Sequence, residues 1–286
     1  MPSSEILARP LVRRLGLLVL RRGSLLAFLL ILAVFAVSAP DFLSPGNIAN
    51  VFAQSAILGI LAFGLTCVVI GGGSNVVSGG LDLSLAANLG LCAAVYSSLN
   101  NAGLQAGEAI GLTLLCGLAV GALNGFTVVV LRLPPLLATL ASMNLIAGLE
   151  LVLTQNSVLP TDSALLDTLA NGEWLQVPAL AWVLLGVALL LGLLIQHSPY
   201  GLRLYAVGEY PEAARAAGLG VGRYVFSSYL IAGLCAAIAA FCSAAYFSGS
   251  TTGSGEMLLS VVAIAFLGVV FSRRLVANIP GTLLAT

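Results

Sequence analysis

Lysine is absent from this 286-residue chain, and all eleven basic residues are arginine. A phosphate-binding P-loop of the form G-x-x-x-x-G-K-[ST] needs that lysine, so no such ATPase motif is present. Charge of either sign is also scarce, at 8% of residues against roughly 25% in soluble domains. The formal net charge is zero, and no basic stripe interleaved with aromatics offers a footprint for nucleic acid. Histidine occurs once, as His197, between an apolar run and Ser198-Pro199, a setting for a helix end rather than a ligand or base. Cys67, Cys92, Cys116, Cys235 and Cys242 lie inside apolar runs without CxxC or Cys/His spacing and read as packing residues. With no nucleophile beside a base and no metal-ligand cluster, an intramembrane enzyme lacks its machinery. The expectation is no catalytic residue, no metal and no cofactor in this chain.

What the sequence has is hydrophobicity: 59% of residues, with a mean hydropathy of +1.08. A bilayer core about 30 Å thick takes roughly 20 apolar residues per helical crossing, and runs of that length recur throughout. The pattern predicts an all-α polytopic bundle of about eight spans. They fall at 24–39, 48–70, 81–99, 109–131, 136–153, 177–196, 224–247 and 257–271. Residues 1–286 read as one integral-membrane domain, with no linker, low-complexity tract or short-period repeat. Arg9, Arg13, Arg14, Arg21 and Arg22 precede the run Leu25–Val37, and Val37-Ser38-Ala39 resembles a signal-peptide cleavage site. The further spans that follow favour a retained first helix with a basic cytoplasmic flank, residues 1–23.

From a cytoplasmic N-terminus, strict alternation places Arg132, Arg203, Arg215, Arg223, Arg273 and Arg274 on the inner side. Asp41, Glu108, Asp162, Asp167, Glu173 and Glu256 then fall outside. A missed crossing would send the downstream arginines outward, so the agreement checks the span count. The outer segment Thr154–Gln176 is polar, and Trp174 near its end suits an interfacial anchor.

Hydrophobicity breaks at Gly71-Gly72-Gly73 and again at Gly79-Gly80, either as a cytoplasmic turn or as a broken helix inside the bundle. Asp82 and Ser84 follow, and are expected in the first turn of the next helix, where a carboxylate suits the positive dipole end. Asp82 is then a surface cap or part of a polar pathway. Irregular backbone at membrane depth is tolerated only where protein buries it or it lines a cavity. Asn75, Asn88, Asn124 and Asn144 sit in or beside apolar segments; packing between helices is the better reading for each alone, and a pathway is the other. Pro211-Glu212-Ala213-Ala214-Arg215 followed by Gly218 predicts a short capped surface helix, with Pro at the first position, Glu at the positive end and Gly as terminator.

Three of these segments carry a family resemblance. Gly79-Gly80-Leu81-Asp82-Leu83-Ser84 resembles the GG-[IL]-D-L-S signature of ribose- and other monosaccharide-type permeases of ATP-binding-cassette (ABC) importers; related branched-chain amino-acid permeases tend to show E-I-N-L-A there. Leu123-Asn124-Gly125 with Arg132-Leu133-Pro134-Pro135-Leu136-Leu137-Ala138-Thr139-Leu140 is similar to the family's L-N-G and P-P-[FL]-[IL]-A-T-L. Tyr200–Gly208 leading into Pro211–Gly218 resembles its G-R-x-[VL]-Y-A-[IV]-G and P-E-A-A-R-x-[SA]-G segment, and Asp41–Ile48 its F-L-[ST]-x-x-N-[IL]. The stretch Phe271–Thr286 departs from the family's Gly-rich run, and further helices usually follow that point, so the family fold is expected to lack its last helices here.

The resemblance implies a multi-pass bacterial inner-membrane subunit that pairs with a second permease chain, the same or homologous. A cytoplasmic ABC ATPase carrying ATP and Mg would dock on it, and a periplasmic binding protein would deliver a sugar-like solute. Loop 197–223 would couple ATPase closure to the helices through Pro211, Glu212, Ala213, Ala214, Arg215 and Gly218. Asn75, Gly79, Gly80, Asp82, Ser84, Asn88, Asn124 and Asn144 would contribute to the pathway, with lipid around the bundle. The alternative is an ion-coupled secondary transporter, for which Glu150, near the outer end of its span, is the best coupling residue.

Overall fold

The computed structural model describes residues 27–39, 41–73, 79–250, 253–272 and 275–286. Contacts divide the chain into two units, Met1–Ile48 and Ala49–Thr286. In the first, helix α1 (Ala27–Ser38) forms in the apolar run after the arginines. Phe35 stacks on Phe42 with ring centroids 5.5 Å apart, and Asn47 donates Nδ2 to Phe42 O at 2.8 Å. Ser44 caps the next helix by accepting from the N–H of Asn47 at 3.2 Å, and Pro45 takes the first helical position, where a missing N–H costs nothing. The basic segment 1–23 lies outside the described residues.

That next helix, α2 (Pro45–Gly72), runs on into the second unit. There follow α3 (Leu85–Asn101), α4 (Ala106–Val129), α5 (Pro135–Thr154), α6 (Ala164–Asn171), α7 (Ala179–Gln196), α8 (Pro199–Glu209), α9 (Pro211–Ala216), α10 (Val221–Phe247), α11 (Met257–Val270) and α12 (Ile279–Ala285). The architecture is all-α and polytopic. Among the described residues, five helices, α2, α4, α5, α7 and α10, are long and apolar enough to cross a membrane. The shorter α1, α3 and α11 occupy the three remaining predicted segments.

Helix α2 is buried on every side from Ala56 to Gly71 apart from Leu58, so it lies inside the second unit. Helix α10 crosses α4 in backbone contact. Gly117, Gly121 and Gly125 recur at every fourth residue and so share one face of α4. A Cβ on Gly121 would lie 2.4 Å from Tyr229 O, and one on Gly233 would lie 2.2 Å from Gly117 O. Such small-residue faces let membrane helices approach closely enough for dispersion to replace the missing hydrophobic drive. Beyond α11, Asn278 caps α12 by accepting from Gly281 N at 2.7 Å, and α12 runs back along α2, with Thr282 Oγ1 2.8 Å from Thr66 Oγ1.

Two features correct the sequence reading. The segment 154–176, expected as a polar loop, contains α6 and the strand β1 (Glu173–Trp174), which pairs with β2 (Val177–Pro178) just beyond it in a small hairpin. Ser163 caps α6 by accepting from Leu166 N at 3.2 Å, and Leu166 buries against Tyr96 and Phe241; one amphipathic face outweighed the polar composition. The hairpin turn Leu175-Gln176 has φ of 53° and 62°, the left-handed pair of a type I′ turn. Trp174 is exposed and accepts at its carbonyl from Trp182 Nε1 at 3.2 Å. The second correction is α8, a whole helix ahead of the expected Pro211 helix, started by Ser198, which accepts from Tyr200 N at 3.1 Å. His197 is the C-cap of α7, the helix-end position expected for it.

Candidate functional site

The break after α2 is a doubling back. Gly80 N donates to Gly73 O at 3.1 Å, and a Cβ on Gly80 would fall 2.0 Å from Val68 O. The returning strand of chain therefore lies directly against the last turns of α2, an approach that any side chain at Gly80 would block. Gly79, Gly80, Leu81, Asp82 and Ser84 are all buried and non-helical. The segment is thus irregular backbone enclosed in protein, with its described part inside the bundle. Asn75 lies outside the described residues.

Asp82 is not in the first turn of α3, which starts at Leu85; it stands three residues earlier and is 2% exposed. The Asx-type turn explains the shift: Asp82 Oδ1 accepts from Ser84 N at 2.9 Å and from Ser84 Oγ at 2.7 Å, so the carboxylate orders the approach to the helix. Asn124 of α4 donates Nδ2 to Ser84 Oγ at 2.7 Å and lies 3.3 Å from Asp82 Oδ1. Its Oδ1 accepts from Ser142 Oγ of α5 at 2.6 Å. Four side chains from three neighbouring elements therefore form one buried polar network, a costly feature in apolar surroundings unless its groups are satisfied. Tyr229 of α10 adds a long hydrogen bond, 3.4 Å, from its hydroxyl to Leu81 O.

The remaining predicted asparagines stand apart from that network. Asn88 is buried in α3, donating to Gly117 O of α4 at 3.4 Å and accepting from Cys92 Sγ, a helix-packing role. Asn144 is on the exposed face of α5 and donates to Leu140 O at 2.8 Å. All five cysteines are free thiols, four of them buried.

The predicted surface helix forms as α9. Pro211 opens it, Ala214 is buried beneath, and Arg215 makes a two-pronged contact to Glu212 at 2.8 Å to each oxygen. Gly218 ends it at φ +83°, with Leu219 N donating to Ala214 O at 3.0 Å. Helix α8 links this helix to the core: Gly208 packs on Ile70 O of α2, and Tyr205 donates its hydroxyl to Ala277 O at 2.7 Å. Burial pushes the Tyr205 phenol up to about 12. A cavity of about 670 Å³ is lined by Gly72, Gly79, Gly80, Arg132, Arg215 and Tyr229 among others. One cavity therefore joins the two clusters that the sequence singled out separately.

Residues 47–286 match the family described as branched-chain amino acid transport system / permease component. The chain belongs to this permease family. Among curated proteins, the permease is 28% identical to the ribose import permease protein RbsC of Escherichia coli K12, over 93% of its own length and 83% of the relative's. It is 30% identical to RbsC of Bacillus subtilis 168, over 86% and 75%, and 33% identical to the autoinducer 2 import system permease protein LsrC of Enterobacter sp. 638, over 87% and 72%. No solved structure matches. The permease is thus the multi-pass membrane component of an ABC importer, like its relatives, which do not favour the ion-coupled alternative.

Within the permease, sequence reasoning missed Ser142 and Tyr229. Ser142 had a readable signal: Ser142, Ile146, Glu150 and Thr154 repeat every four residues, which puts three polar groups on the buried face of α5. Tyr229 had none, since nothing local marks which aromatic residue of an apolar helix meets a distant carbonyl.

Proposed function

We propose that the permease moves a sugar or sugar-like solute into the cytoplasm by alternating access, powered by a separate ATPase that binds ATP and Mg. A periplasmic binding protein delivers the solute, and a second permease chain, identical or homologous, completes the pathway. The solute class rests on the ribose and autoinducer-2 permeases among the relatives, and on Asp82 and Ser84, where branched-chain amino-acid permeases carry other residues. The N-terminus is cytoplasmic in this reading. Arg132 and Arg215 share a cavity, so the arginine-rich loops gather at one end as the positive-inside rule asks of a cytoplasmic face.

The observation that carries the coupling mechanism is that shared cavity. Helix α9 presents Pro211, Glu212 and Ala213 outward, a surface suited to a groove on the ATPase. Arg215, on the same helix, lines the cavity with Gly79 and Gly80, the segment that leads to Asp82. A push on α9 therefore reaches the glycine-flanked backbone and the Asp82–Asn124 network through one interface. In this role Asp82 and Ser84 hold the pathway wall in register.

The test is Glu212→Arg in the reconstituted complex. The Glu212–Arg215 pair is well exposed, so membrane insertion stays intact. Solute-stimulated ATP hydrolysis is expected to fall to the unstimulated rate. Normal stimulation would remove the coupling assignment. Purification of the wild-type chain in mild detergent without its ATPase, together with solute exchange that needs no ATP, would remove the importer reading itself.

A further inference from the structure

The cavity that joins the two clusters carries a charge that the coupling mechanism leaves unused. Arg132, from the link between α4 and α5, and Arg215, from α9, both line it, and among the described residues no carboxylate does. Arg132 has no carboxylate partner among those residues, the ion pair there being Glu212–Arg215. That pair engages Arg215 through Nη1, which contacts both Glu212 oxygens and leaves Nε and Nη2 for another acceptor. Two long helices also begin at this cavity, α5 at Pro135 and α10 at Val221 and Gly222. Neither has a side-chain cap, so the positive ends of both dipoles add to the guanidinium charge. The other end of α10 is the reverse: Ala245 and Ser248 line a cavity with Asp162 and Asp167, and no arginine lines it.

The backbone fixes where Arg132 stands. Its φ is +56°, a left-handed position that a residue with a side chain adopts at a cost, and Leu133 N donates to Thr127 O at 3.1 Å, closing the end of α4 around it. Leu131 and Leu133 on either side are exposed, as is Leu137 one turn into α5. Arg132 thus stands where an apolar outer surface meets a positive cavity. A phosphate group suits that place, because its oxygens can accept from guanidiniums on two sides. When the phosphate belongs to a lipid, the acyl chains have the leucines to lie on, as at the basic pockets between membrane helices that hold anionic headgroups.

We infer that Arg132 and Arg215 bind an anionic phosphate group in this cavity, carried by a phospholipid or free in solution. The bound group ties α9 to the link between α4 and α5, so its occupancy sets how firmly the coupling helix is held. The inference does not rest on the sugar reading, and its test contains no solute.

The test is thermal unfolding of the purified permease in an uncharged detergent. It is titrated separately with phosphatidylglycerol, with phosphatidylcholine of the same chains, whose phosphate is neutralised by its own cation, and with inorganic phosphate. The midpoint is expected to rise saturably with phosphatidylglycerol or inorganic phosphate and not with phosphatidylcholine. A response to phosphatidylglycerol alone assigns the group to a headgroup, and a response to inorganic phosphate shows that the free ion suffices. Arg132→Gly removes the guanidinium and relieves the left-handed backbone, so the variant folds at least as well as the wild type. It raises the half-saturating concentration about tenfold, the loss of one hydrogen bond to a charged group. Arg203→Gln removes a charge from α8, outside the cavity, and leaves that concentration unchanged. No saturable rise with either phosphate source, an equal rise with phosphatidylcholine, or unchanged half-saturation in Arg132→Gly overturns the site. Equal weakening in Arg203→Gln also overturns it, because anions would then be drawn to the arginine-rich end as a whole.

Discussion

Helices α2 and α10 are buried over 83% and 67% of their most apolar windows, whereas α4, α5 and α7 are buried over 33%, 28% and 33%. Hydropathy does not separate the two groups: it is 2.2 and 2.1 for the buried pair, and 1.9, 1.9 and 2.4 for the others. In water, apolar residues would mark the centre; in a bilayer, lipid is as apolar as leucine and hydropathy loses that meaning. Small side chains instead mark the faces where helices meet closely. The sequence of α10 from Ala232 to Ala245 is mostly Ala, Gly, Cys and Ser, and Gly59, Gly64 and Gly71 of α2 touch α7, α10 and α8 respectively. Helix α7 is instead a leucine-rich rod whose Leu189, Leu190 and Leu193 stay exposed. Helix α4 is divided lengthwise, with its glycine stripe against α10 and Leu112, Leu115 and Phe126 exposed.

The sharpest way to break this distinction is to exchange sizes between the two regions. Gly233→Leu drives a side chain into Gly117 O, where a Cβ alone would already sit 2.2 Å away. Two helix backbones must separate to admit it, and the overpacking spreads through the α4–α10 contact. The expected result is loss of the monodisperse peak in detergent size-exclusion chromatography. Leu190→Ala, at a position 63% exposed, leaves that peak and the thermal midpoint unchanged. Equal damage from both substitutions would show that centre and rim are not distinguished by size.

A polar residue in the buried region gives the next largest effect. Asp82→Ala leaves Ser84 N–H and Ser84 Oγ short of an acceptor inside the bundle, while Asn124 Nδ2 keeps its bond to Ser84 Oγ. Each orphaned buried donor costs about 1–3 kcal/mol, so the loss is on the order of 3 kcal/mol, with Asp82→Asn losing less because one acceptor oxygen remains. Thermal unfolding of the purified permease orders the three as wild type, Asn, Ala. If Asp82→Ala were as stable as the wild type, the network would carry no structural weight, and Asp82 would belong to a site for solute alone.

Several parts of this structure were legible before any coordinates. The eight apolar segments correspond to helices, with boundaries shifted by a few residues, and Pro211, Glu212, Arg215 and Gly218 stand where capping chemistry put them. That legibility has a local cause: hydropathy and caps are decided within one turn or one span. The network was half legible. Asp82, Ser84 and Asn124 stood out as polar residues in apolar surroundings, but their meeting depends on how α4 and α5 pack, which no local pattern encodes. Asp82 was placed inside α3 because dipole logic favours acids in a first turn; an Asx turn competes for the same carboxylate and displaced it by three residues. Helix α6 was hidden because a single amphipathic face of eight residues is diluted by its polar neighbours.

The smallest expected effect tests the link between the coupling loop and the rest of the bundle. Tyr205 of α8 donates to Ala277 O at 2.7 Å and accepts from Gln196 Nε2 at 3.1 Å, so its hydroxyl joins three segments. Tyr205→Phe keeps the ring and removes that junction, which is expected to cost about 1 kcal/mol. Burial raises the phenol from 10.0 to about 12, so the folded state favours the protonated form. The stabilisation is therefore fully present below pH 10 and is lost as pH rises through about 12. Melting curves of the two proteins between pH 7 and 9 should run parallel, with the variant lower throughout. Absence of any gap in that range would mean that the hydroxyl carries no stabilisation, and that α8 is held to the segment before α12 by packing alone.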